Sequence, residues 1–436
     1  MKFSKSIKKI FFLNQQSTDF NFFCFGILFL ASAPFISCIF LLYSLYKGAL
    51  KSKNIFKDKY NQVLILVSLV LILKSIFVSL NQNQIYHLNT SLNWADLANW
   101  IPLFLCFLSL NNYLDSNAKR EKVAKFFIAG TIPVLVSCVG QYWFNWYGPF
   151  EIFNGLIKWF QRPLSPTNQN VTGLFSNPNY TGAWLSMMWP LSIALITEKI
   201  YLKEFLKSKI IFLIMLVLST SLILTNSRNA WLSFFISIPI MFGKKSLRWF
   251  SPIILFLFIA IFSSFLPFVP EEISKISQNL VPNYVQDKFS EIFINFQDYP
   301  RLDIWMKAII FIIKKPFFGW GAGSFPILYE MKTGFYNSHT HNLFLELSVN
   351  HGLLVSIPII SFFCLILYKS FNKIFIQNSK KSLIDKGWWT AAFIFFSTHL
   401  YDILIFDIRI NLASWILIIG LRNILLENKN IAKDSF

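Results

Sequence analysis

The chain has 436 residues, of which 55% are hydrophobic and only 14% are charged. Soluble domains carry about 25% charged residues, and a soluble protein this apolar would expose large hydrophobic patches, so the composition excludes a soluble globular protein. The formal net charge of +19 is compatible with a nucleic-acid partner, but the lysines lie in short loops between apolar segments. Because the positive-inside rule accounts for that distribution, no nucleic-acid partner is expected.

The apolar segments predict an all-α polytopic membrane protein with about twelve transmembrane helices, built as a single integral membrane domain over residues 1–436. A helix crosses a bilayer with about 20 residues. Pro34 divides the first apolar run into a tight helical pair, since proline ends or kinks a helix. The predicted spans lie at roughly 17–33, 34–48, 60–80, 94–110, 126–145, 181–197, 210–225, 230–242, 249–268, 342–368, 387–402 and 411–424.

Most of the 40 lysines and arginines fall on one side of this arrangement, in short loops and at both termini. The positive-inside rule therefore assigns those segments to the cytoplasm. Two long loops remain on the outer side, at 146–180 and 269–341, and long loops in compact proteins are usually functional. The larger one holds an apolar helical pattern from Leu302 to Ile313, ended by Pro316. That segment is too short to span, so it predicts an interfacial helix or one packed on the bundle.

A glycine-rich stretch, GWGAGSF, follows at 319–325. It matches neither GxGxxG nor the P-loop, no clear helix is predicted after it, and it lacks a βαβ context. A turn is therefore expected here and not a phosphate loop.

Three of the five histidines, His339, His341 and His351, lie within thirteen residues of one another. Three interpretations compete for His339 and His341: a zinc pair, polar residues at the membrane interface, or a base at the water–membrane boundary. Zinc needs three or four ligands, and no third ligand is obvious nearby, so no metal is expected. A neutral imidazole with a pKa near 6.5 suits a base. His351 lies ten residues beyond His341, about 15 Å along a helix, too far to share a ligand.

Three arginines lie on the predicted outer side, where positive charge is sparse: Arg162, Arg228 and Arg301. Snorkelling would account for Arg228 at the mouth of two spans, and a local salt bridge with Asp303 would account for Arg301. Taken together, the three indicate an anionic ligand, since arginine makes bidentate contacts with phosphate oxygens.

Four motifs in order carry a resemblance to a known family. Arg228-Asn-Ala-Trp-Leu232 matches an Arg-x-x-x-Leu motif, and His341-Asn342 is followed by nine residues and Gly352. GLFSNPNYTGAWL and RLDIWMKAIIFIIKKPFFGWGAGSF resemble two further segments. The chain thus resembles the O-antigen ligase/polymerase superfamily of membrane glycosyltransferases, most strongly over 162–355. Val355 departs mildly from the pattern, which often has Gly, Thr or Tyr there.

The resemblance implies a GT-C-like helical fold in the bacterial inner membrane, with the active site on the periplasmic side. The implied donor is a glycan on undecaprenyl diphosphate, drawn from the membrane lipid. The implied acceptor is a glycan or a lipid, and no metal or other cofactor takes part. His341 would accept the acceptor's proton, while Arg228 and Arg301 would stabilise the leaving group. The residues expected to bind substrate are Arg162, Asn177, Asn179 and His339.

Alternatives remain open at this point. The same motifs fit a ligase, a polymerase and a protein glycosyltransferase. A transporter, for example one for inorganic carbon, is a candidate from another functional class. Lys74 lies inside the predicted span 60–80, and ionisable residues within a membrane often mark transport paths. A flippase-like or regulatory partner of polysaccharide assembly would keep the same topology.

Overall fold

The structure is a computed structural model, and it describes residues 17–52, 55–80, 90–165, 169–264, 266, 268–281, 286, 300–377 and 382–431. This part of the chain is mostly helical. Its α-helices, in chain order, are α1 Thr18–Phe29, α2 Pro34–Lys51, α3 Lys59–Leu80, α4 Thr90–Leu97, α5 Ile101–Ser109, α6 Asn117–Phe144, α7 Pro178–Tyr201, α8 Phe205–Leu224, α9 Arg228–Phe242, α10 Lys244–Ser263, α11 Glu271–Leu280, α12 Pro300–Lys314, α13 Ser324–Thr333, α14 Leu343–His351, α15 Leu353–Phe371, α16 Leu383–Thr398 and α17 Ile408–Ile431.

Several of these helices are long and apolar enough to cross a membrane, which supports a multi-pass membrane protein. Two further apolar helices, Thr18–Phe29 and Ser208–Leu224, are shorter. The count of twelve spans and the sidedness of the loops stay predictions. Within the described residues, the five helices that meet the length and composition needed for a span are Lys59–Leu80, Asn117–Phe144, Ser246–Ser263, Leu353–Gln377 and Ile408–Glu427.

Two predicted spans are broken in the structure. The span at 94–110 is divided into α4 and α5, and Pro102 lies in the first turn of α5, where its missing N–H costs nothing. The span at 342–368 is divided into α14 and α15 at Gly352. Gly352 has φ +78°, a left-handed conformation that glycine adopts without steric cost.

The predicted helical pair at the N-terminal end is confirmed as α1 and α2. Pro34 is the first residue of α2. The hydroxyl of Ser37 donates to the carbonyl of Gly26 at 2.7 Å, and Lys51 Nζ lies 2.6 Å from Asp19 Oδ2. The far end of α2 therefore meets the start of α1, as expected for an antiparallel pair.

The loop at 146–180 departs from the all-α prediction, because it contains a short hairpin. Strands β1, Phe150–Ile152, and β2, Ile157–Trp159, pair antiparallel. The sequence analysis missed this hairpin because three-residue strands give too short an alternation to detect.

The centre of the bundle is formed by α7 packed against α16. A Cβ on Gly387 would lie 2.8 Å from both the Cβ of Ala194 and the carbonyl oxygen of Pro190, so the two helices approach closely there. Trp184 and Trp388 are fully buried in the same core. Because Gly387 near the start of α16 meets the second half of α7, the end of α16 lies beside the start of α7.

The helix predicted from Leu302 to Ile313 is confirmed as α12. Its apolar face packs on α13 and α14, while its place relative to a membrane interface stays a prediction. The buried cluster that joins these three helices consists of Ile304, Ala308, Phe311, Phe325, Tyr329 and Val349.

The glycine-rich stretch forms the predicted turn, but the expectation that no clear helix follows it is wrong, since α13 begins at Ser324. Gly319, Gly321 and Gly323 all have positive φ. A Cβ on Gly319 would lie 2.6 Å from the carbonyl oxygen of Val349, so the turn packs directly on the end of α14. The structural role of this turn is therefore to pack against the C-terminal end of α14.

Candidate active site

His341 lies in the loop that leads into α14, with a backbone conformation unusual for its residue type. Its φ is +54°, in the left-handed region that non-glycine residues seldom adopt. The next residue, Asn342, is the N-cap of α14, and its side-chain oxygen accepts a hydrogen bond from the N–H of Leu345 at 3.1 Å. Asparagine is a favoured N-cap because it satisfies an otherwise unpaired N–H. The helix start therefore fixes the position of the imidazole.

The imidazole of His341 meets a carboxylate from a distant part of the chain. Its Nδ1 lies 3.3 Å from Oδ1 of Asp402, in the loop after α16. Asp402 also accepts from its neighbour Ile403 N at 2.9 Å and from Asn179 Nδ2 at 2.8 Å. The carboxylate is 7% exposed and the imidazole 24%, so the carboxylate is held in place while the base stays accessible.

The ionisation of Asp402 follows from these contacts. Burial raises the pKa of its carboxyl group, but the hydrogen bond from His341, the charges of His339 and His341 and the N–H of Ile403 outweigh burial. The net effect lowers the pKa of Asp402 below its ordinary value. Asp402 is therefore a carboxylate at neutral pH and can accept a hydrogen bond from Nδ1 of His341.

His339 packs beside His341. The ring centroids are 4.2 Å apart, and the backbone N–H of His341 donates to Nδ1 of His339 at 3.3 Å. Burial, the neighbouring His341 and the positive charge of Arg301 lower the pKa of His339 to about 4, although Asp402 acts in the opposite direction. His339 is therefore a neutral imidazole at neutral pH.

Arg301 lies in the first turn of α12. Its positive charge contributes to lowering the pKa of His339, so Arg301 acts electrostatically on this cluster. Trp305, one turn further along α12, donates through Nε1 to the carbonyl of Thr340 at 3.0 Å. That hydrogen bond ties α12 to the residue between the two histidines.

Arg228 is the first residue of α9, and a cavity of about 210 Å³ lies between α9 and α16. The Nη1 atom of Arg228 is buried and has no hydrogen-bond partner among the described residues. The cavity runs from Asn229, next to Arg228, to Tyr401, next to Asp402. Arg228 and Asp402 are therefore sequence neighbours of lining residues, but neither is itself among the residues that line this cavity.

The remaining predicted substrate ligands have these positions. Asn177 caps α7, and its side chain accepts from Asn179 N at 2.8 Å, while Asn179 binds Asp402. The backbone oxygen of Arg162 accepts from Gln141 at 2.7 Å, and its exposed side chain joins none of the cluster contacts described above. A substrate contact for Arg162, Asn177 or Asn179 stays a prediction.

Asp402 was not predicted from the sequence, although a signal was present. Asp402 ends a predicted apolar span, and two acidic residues, Asp402 and Asp407, fall within six residues on a side where charge is sparse. Arg409 forms a bidentate pair with Asp407, at 2.9 and 2.5 Å, and lies 4.1 Å over the ring of Phe175. This pairing anchors the loop that carries Asp402.

Asp402 also supplies the third ligand that the sequence lacked for a metal site. One ligand atom each from His339, His341 and Asp402 lies within 4.8 Å of the others. Two histidines and a carboxylate can hold a divalent cation. The same three groups also form an imidazole–carboxylate pair with a neutral neighbour, which can abstract a proton without a metal.

A comparison with known proteins finds a family match over a segment that contains part of this site. Residues 210–360 match the sequence profile of the O-antigen ligase family, a segment that includes Arg228, Arg301 and His341. The match confirms the resemblance to the O-antigen ligase/polymerase superfamily and supports a role in glycan transfer at a membrane. No curated protein matches the chain.

Proposed function

We propose that this chain, with its O-antigen ligase segment at 210–360, transfers a glycan from a polyprenyl diphosphate carrier to an acceptor hydroxyl. The observation that carries the proposal is the contact between His341 Nδ1 and Asp402 Oδ1 at 3.3 Å, with Arg301 acting on the adjacent His339. A base and an anion-binding arginine therefore meet in the segment that matches the family.

His341 acts as the general base. Because its Nδ1 faces the Asp402 carboxylate, that nitrogen carries the proton and Nε2 carries the free lone pair, as a carboxylate partner dictates. Nε2 takes the proton of the acceptor hydroxyl while the hydroxyl oxygen attacks the anomeric carbon of the donor sugar. The glycosidic bond to the diphosphate breaks, and its electron pair stays on the diphosphate oxygen.

The two arginines stabilise the leaving group. Breaking the bond adds negative charge to the diphosphate, and donors already in position lower the barrier without reorganisation. Nη1 of Arg228 is buried without a protein partner among the described residues, so a diphosphate oxygen would satisfy it. Arg301 supplies the second cation from α12.

The cavity between α9 and α16 suits the carrier. Its walls combine apolar side chains with a few polar ones near the site. Only a short section of the polyprenyl chain would fit in its volume of about 210 Å³, and the diphosphate would bind at Arg228, the sequence neighbour of the lining residue Asn229. The lining residues are Asn229, Leu232, Ser233, Ile236, Phe393, Ile394, Ser397, Thr398, Leu400 and Tyr401.

The rest of the proposal concerns substrates, location and chemistry. The carrier is undecaprenyl diphosphate and the acceptor is a glycan or a lipid. The reaction takes place at the periplasmic face of the inner membrane and needs no metal. These points follow from the superfamily resemblance and from the excess of Lys and Arg on the opposite side of the predicted topology. The family match gives no support to a transporter. Lys74, the residue that favoured a transporter, donates to the carbonyl of Asn350, so its burial has a local explanation.

The proposal is tested by purifying the full chain and supplying a synthetic undecaprenyl-diphosphate oligosaccharide with candidate glycan and lipid acceptors. The expected result is release of undecaprenyl diphosphate together with a glycosylated acceptor, measured by mass spectrometry and unchanged by a chelator. Loss of transfer on chelation, restored by a divalent cation, would overturn metal independence and assign His339, His341 and Asp402 as ligands. No release with any acceptor, from folded protein, would overturn the transfer reaction.

A further inference from the structure

Lys74 lies deep in α3 and is 7% exposed. Its ammonium group donates to the carbonyl oxygen of Asn350, in the last turn of α14. A lysine within a membrane helix is costly unless it is paired, and such residues usually have a function. A cation at the C-terminal end of a helix is favourable, because the carbonyl groups there carry partial negative charge.

A histidine–carboxylate contact lies at the same end of α14. Asp96 Oδ2 is 2.8 Å from Nε2 of His351, the last residue of α14, and Asp96 Oδ1 accepts from Asn99 at 2.9 Å. Asp96 also interacts electrostatically with Lys74. The C-terminal end of α14 is therefore held by side chains from α3 and from the α4 region.

The glycine-rich turn at 319–325 also binds the C-terminal end of α14. The N–H of Trp320 donates to the carbonyl of Val349 at 2.8 Å, and the N–H of Gly321 donates to that of Asn350 at 3.0 Å. Carbonyl groups in the last turn of a helix lack partners within the helix. Here they are satisfied by a turn and a lysine, so the end of α14 has little freedom to shift.

Glu346 connects this end of α14 to the candidate active site. Its Oε1 accepts from Asn350 Nδ2 and its Oε2 accepts from the backbone N–H of Thr340, both at 2.9 Å. Glu346 is 4% exposed, and Thr340 is fully buried. A continuous path of contacts thus runs from Lys74 through Asn350 and Glu346 to the residue that separates His339 from His341.

The path of contacts ends beside His341, whose unusual backbone conformation must be held by its neighbours. His341 has φ +54°, and such conformations persist only where the surrounding contacts hold them. The Thr340 hydroxyl donates to the carbonyl of Asn342 at 2.8 Å, and the Thr340 carbonyl accepts from Trp305. Glu346 makes the third of these hydrogen bonds to Thr340, by accepting from its backbone N–H.

We propose that Glu346 and Lys74 are positioning residues for His341, acting through the Glu346–Thr340 hydrogen bond and the attachment of α14 to α3. Neither side chain touches the substrate. The catalytic consequence of this inference rests on the proposed function, whereas the position of the His341 ring can be measured without any substrate.

The first experiment measures how fast diethyl pyrocarbonate modifies His341, by peptide mass spectrometry on the folded full chain. Glu346→Ala removes the acceptor for Thr340 N–H, while Glu346→Gln keeps a carbonyl oxygen there. Lys74→Met removes the charge and keeps the stem. The control is Lys314→Met, at an exposed lysine at the end of α12. Modification of His341 should speed up several-fold in Glu346→Ala and Lys74→Met and stay at the wild-type rate in Lys314→Met. Glu346→Gln should lie between these limits, because its amide keeps the acceptor for Thr340 N–H but sets an NH₂ donor against Nδ2 of Asn350.

The second experiment measures transfer kinetics on the same variants. Misplacing a catalytic group by about 1 Å costs on the order of 100-fold, so kcat should fall 10- to 100-fold in Glu346→Ala and Lys74→Met, with KM for the carrier unchanged. The double variant should lose less than the product of the two single losses, because both act on one path.

Wild-type reactivity of His341 and wild-type kcat in Glu346→Ala would overturn the inference, as would equal losses in Glu346→Gln and Glu346→Ala. If Lys74→Met does not yield folded protein, the comparison of Glu346→Ala with Glu346→Gln tests the inference without it. If the wild-type chain transfers no glycan, the proposed function fails, and the reactivity of His341 still tests the positioning role.

Discussion

His341 and Asp402 are separated by 61 residues in sequence, and their side chains meet at 3.3 Å between Nδ1 and Oδ1. The contact joins the loop before α14 to the loop after α16. A carboxylate partner fixes both the tautomer and the orientation of an imidazole and stabilises its protonated form. In the proposed reaction, Asp402 therefore orients His341 as the base, and the superfamily resemblance alone does not identify Asp402 in this sequence.

Replacing Asp402 by asparagine should lower kcat for glycan transfer by at least about tenfold and up to about 10⁴-fold, because an amide partner can hold the imidazole in the wrong tautomer. The amide keeps the size of the carboxylate but loses its charge. Asp115→Asn is the matched control, since Asp115 forms an exposed pair with Lys119 at 2.7 Å. Transfer by Asp402→Asn at the rate of Asp115→Asn would show that His341 does not depend on the carboxylate.

Arg228→Ala and Arg301→Ala should each reduce kcat by about 100- to 1,000-fold, the usual loss when one donor to a developing anion is removed. Lysine at either position should restore only part of the rate, because it cannot make bidentate contacts. Arg248→Ala, at an exposed position in α10, provides the comparison. An arginine variant as active as Arg248→Ala would have no role at the leaving group.

The stability of the protein should fall as the pH drops from 6.5 towards 4, partly because of His339. The pKa of His339 is about 4 in the folded chain against an ordinary 6.5. Between these values the unfolded chain binds a proton at this position that the folded chain does not, so acid favours unfolding. Thermal midpoints of wild type and His339→Gln across this range provide the measurement. The variant should lose less stability on acidification, and an identical loss in both would refute the explanation.

Gly352→Ala should destabilise the protein more than Gly334→Ala. Both glycines have nearly the same φ, +78° and +77°, but a Cβ on Gly352 would lie 2.1 Å from the carbonyl oxygen of Phe317, whereas one on Gly334 has nothing within 4 Å. Their ψ angles also differ: Gly352 has ψ 174°, in a region that is essentially restricted to glycine, whereas Gly334 has ψ −2°, near the left-handed helical region. The difference between the variants therefore reports backbone strain together with crowding, and the crowding alone costs about 1–3 kcal/mol. Urea or thermal unfolding in detergent gives the two free energies, and equal values would show that the junction of α14 and α15 yields freely.

Local signals in the sequence predicted much of this fold. Apolar length predicted the five helices that are long enough to span among the described residues, Pro34 located the break between α1 and α2, and Pro316 located the end of α12. The breaks at Pro102 and Gly352 were missed because apolar length alone does not show where a helix is interrupted. The hairpin at 150–159 was missed because each strand has three residues.

The site was predictable only in its parts. His341, Arg228 and Arg301 were predicted because each lies in a motif, and their roles stay predictions. Asp402 was missed because its role depends on a contact across 61 residues, which no local pattern encodes. The partners of Lys74 were missed for the same reason, since Asn350 lies 276 residues away.

The most direct test of the central claim is the rate at which purified His341→Ala transfers glycan from undecaprenyl diphosphate to an acceptor, compared with wild type of equal thermal stability. Loss of a general base costs about 100- to 10,000-fold, and a loss in this range is the expected result. Transfer by His341→Ala at the wild-type rate would contradict the assignment of His341 as the catalytic base.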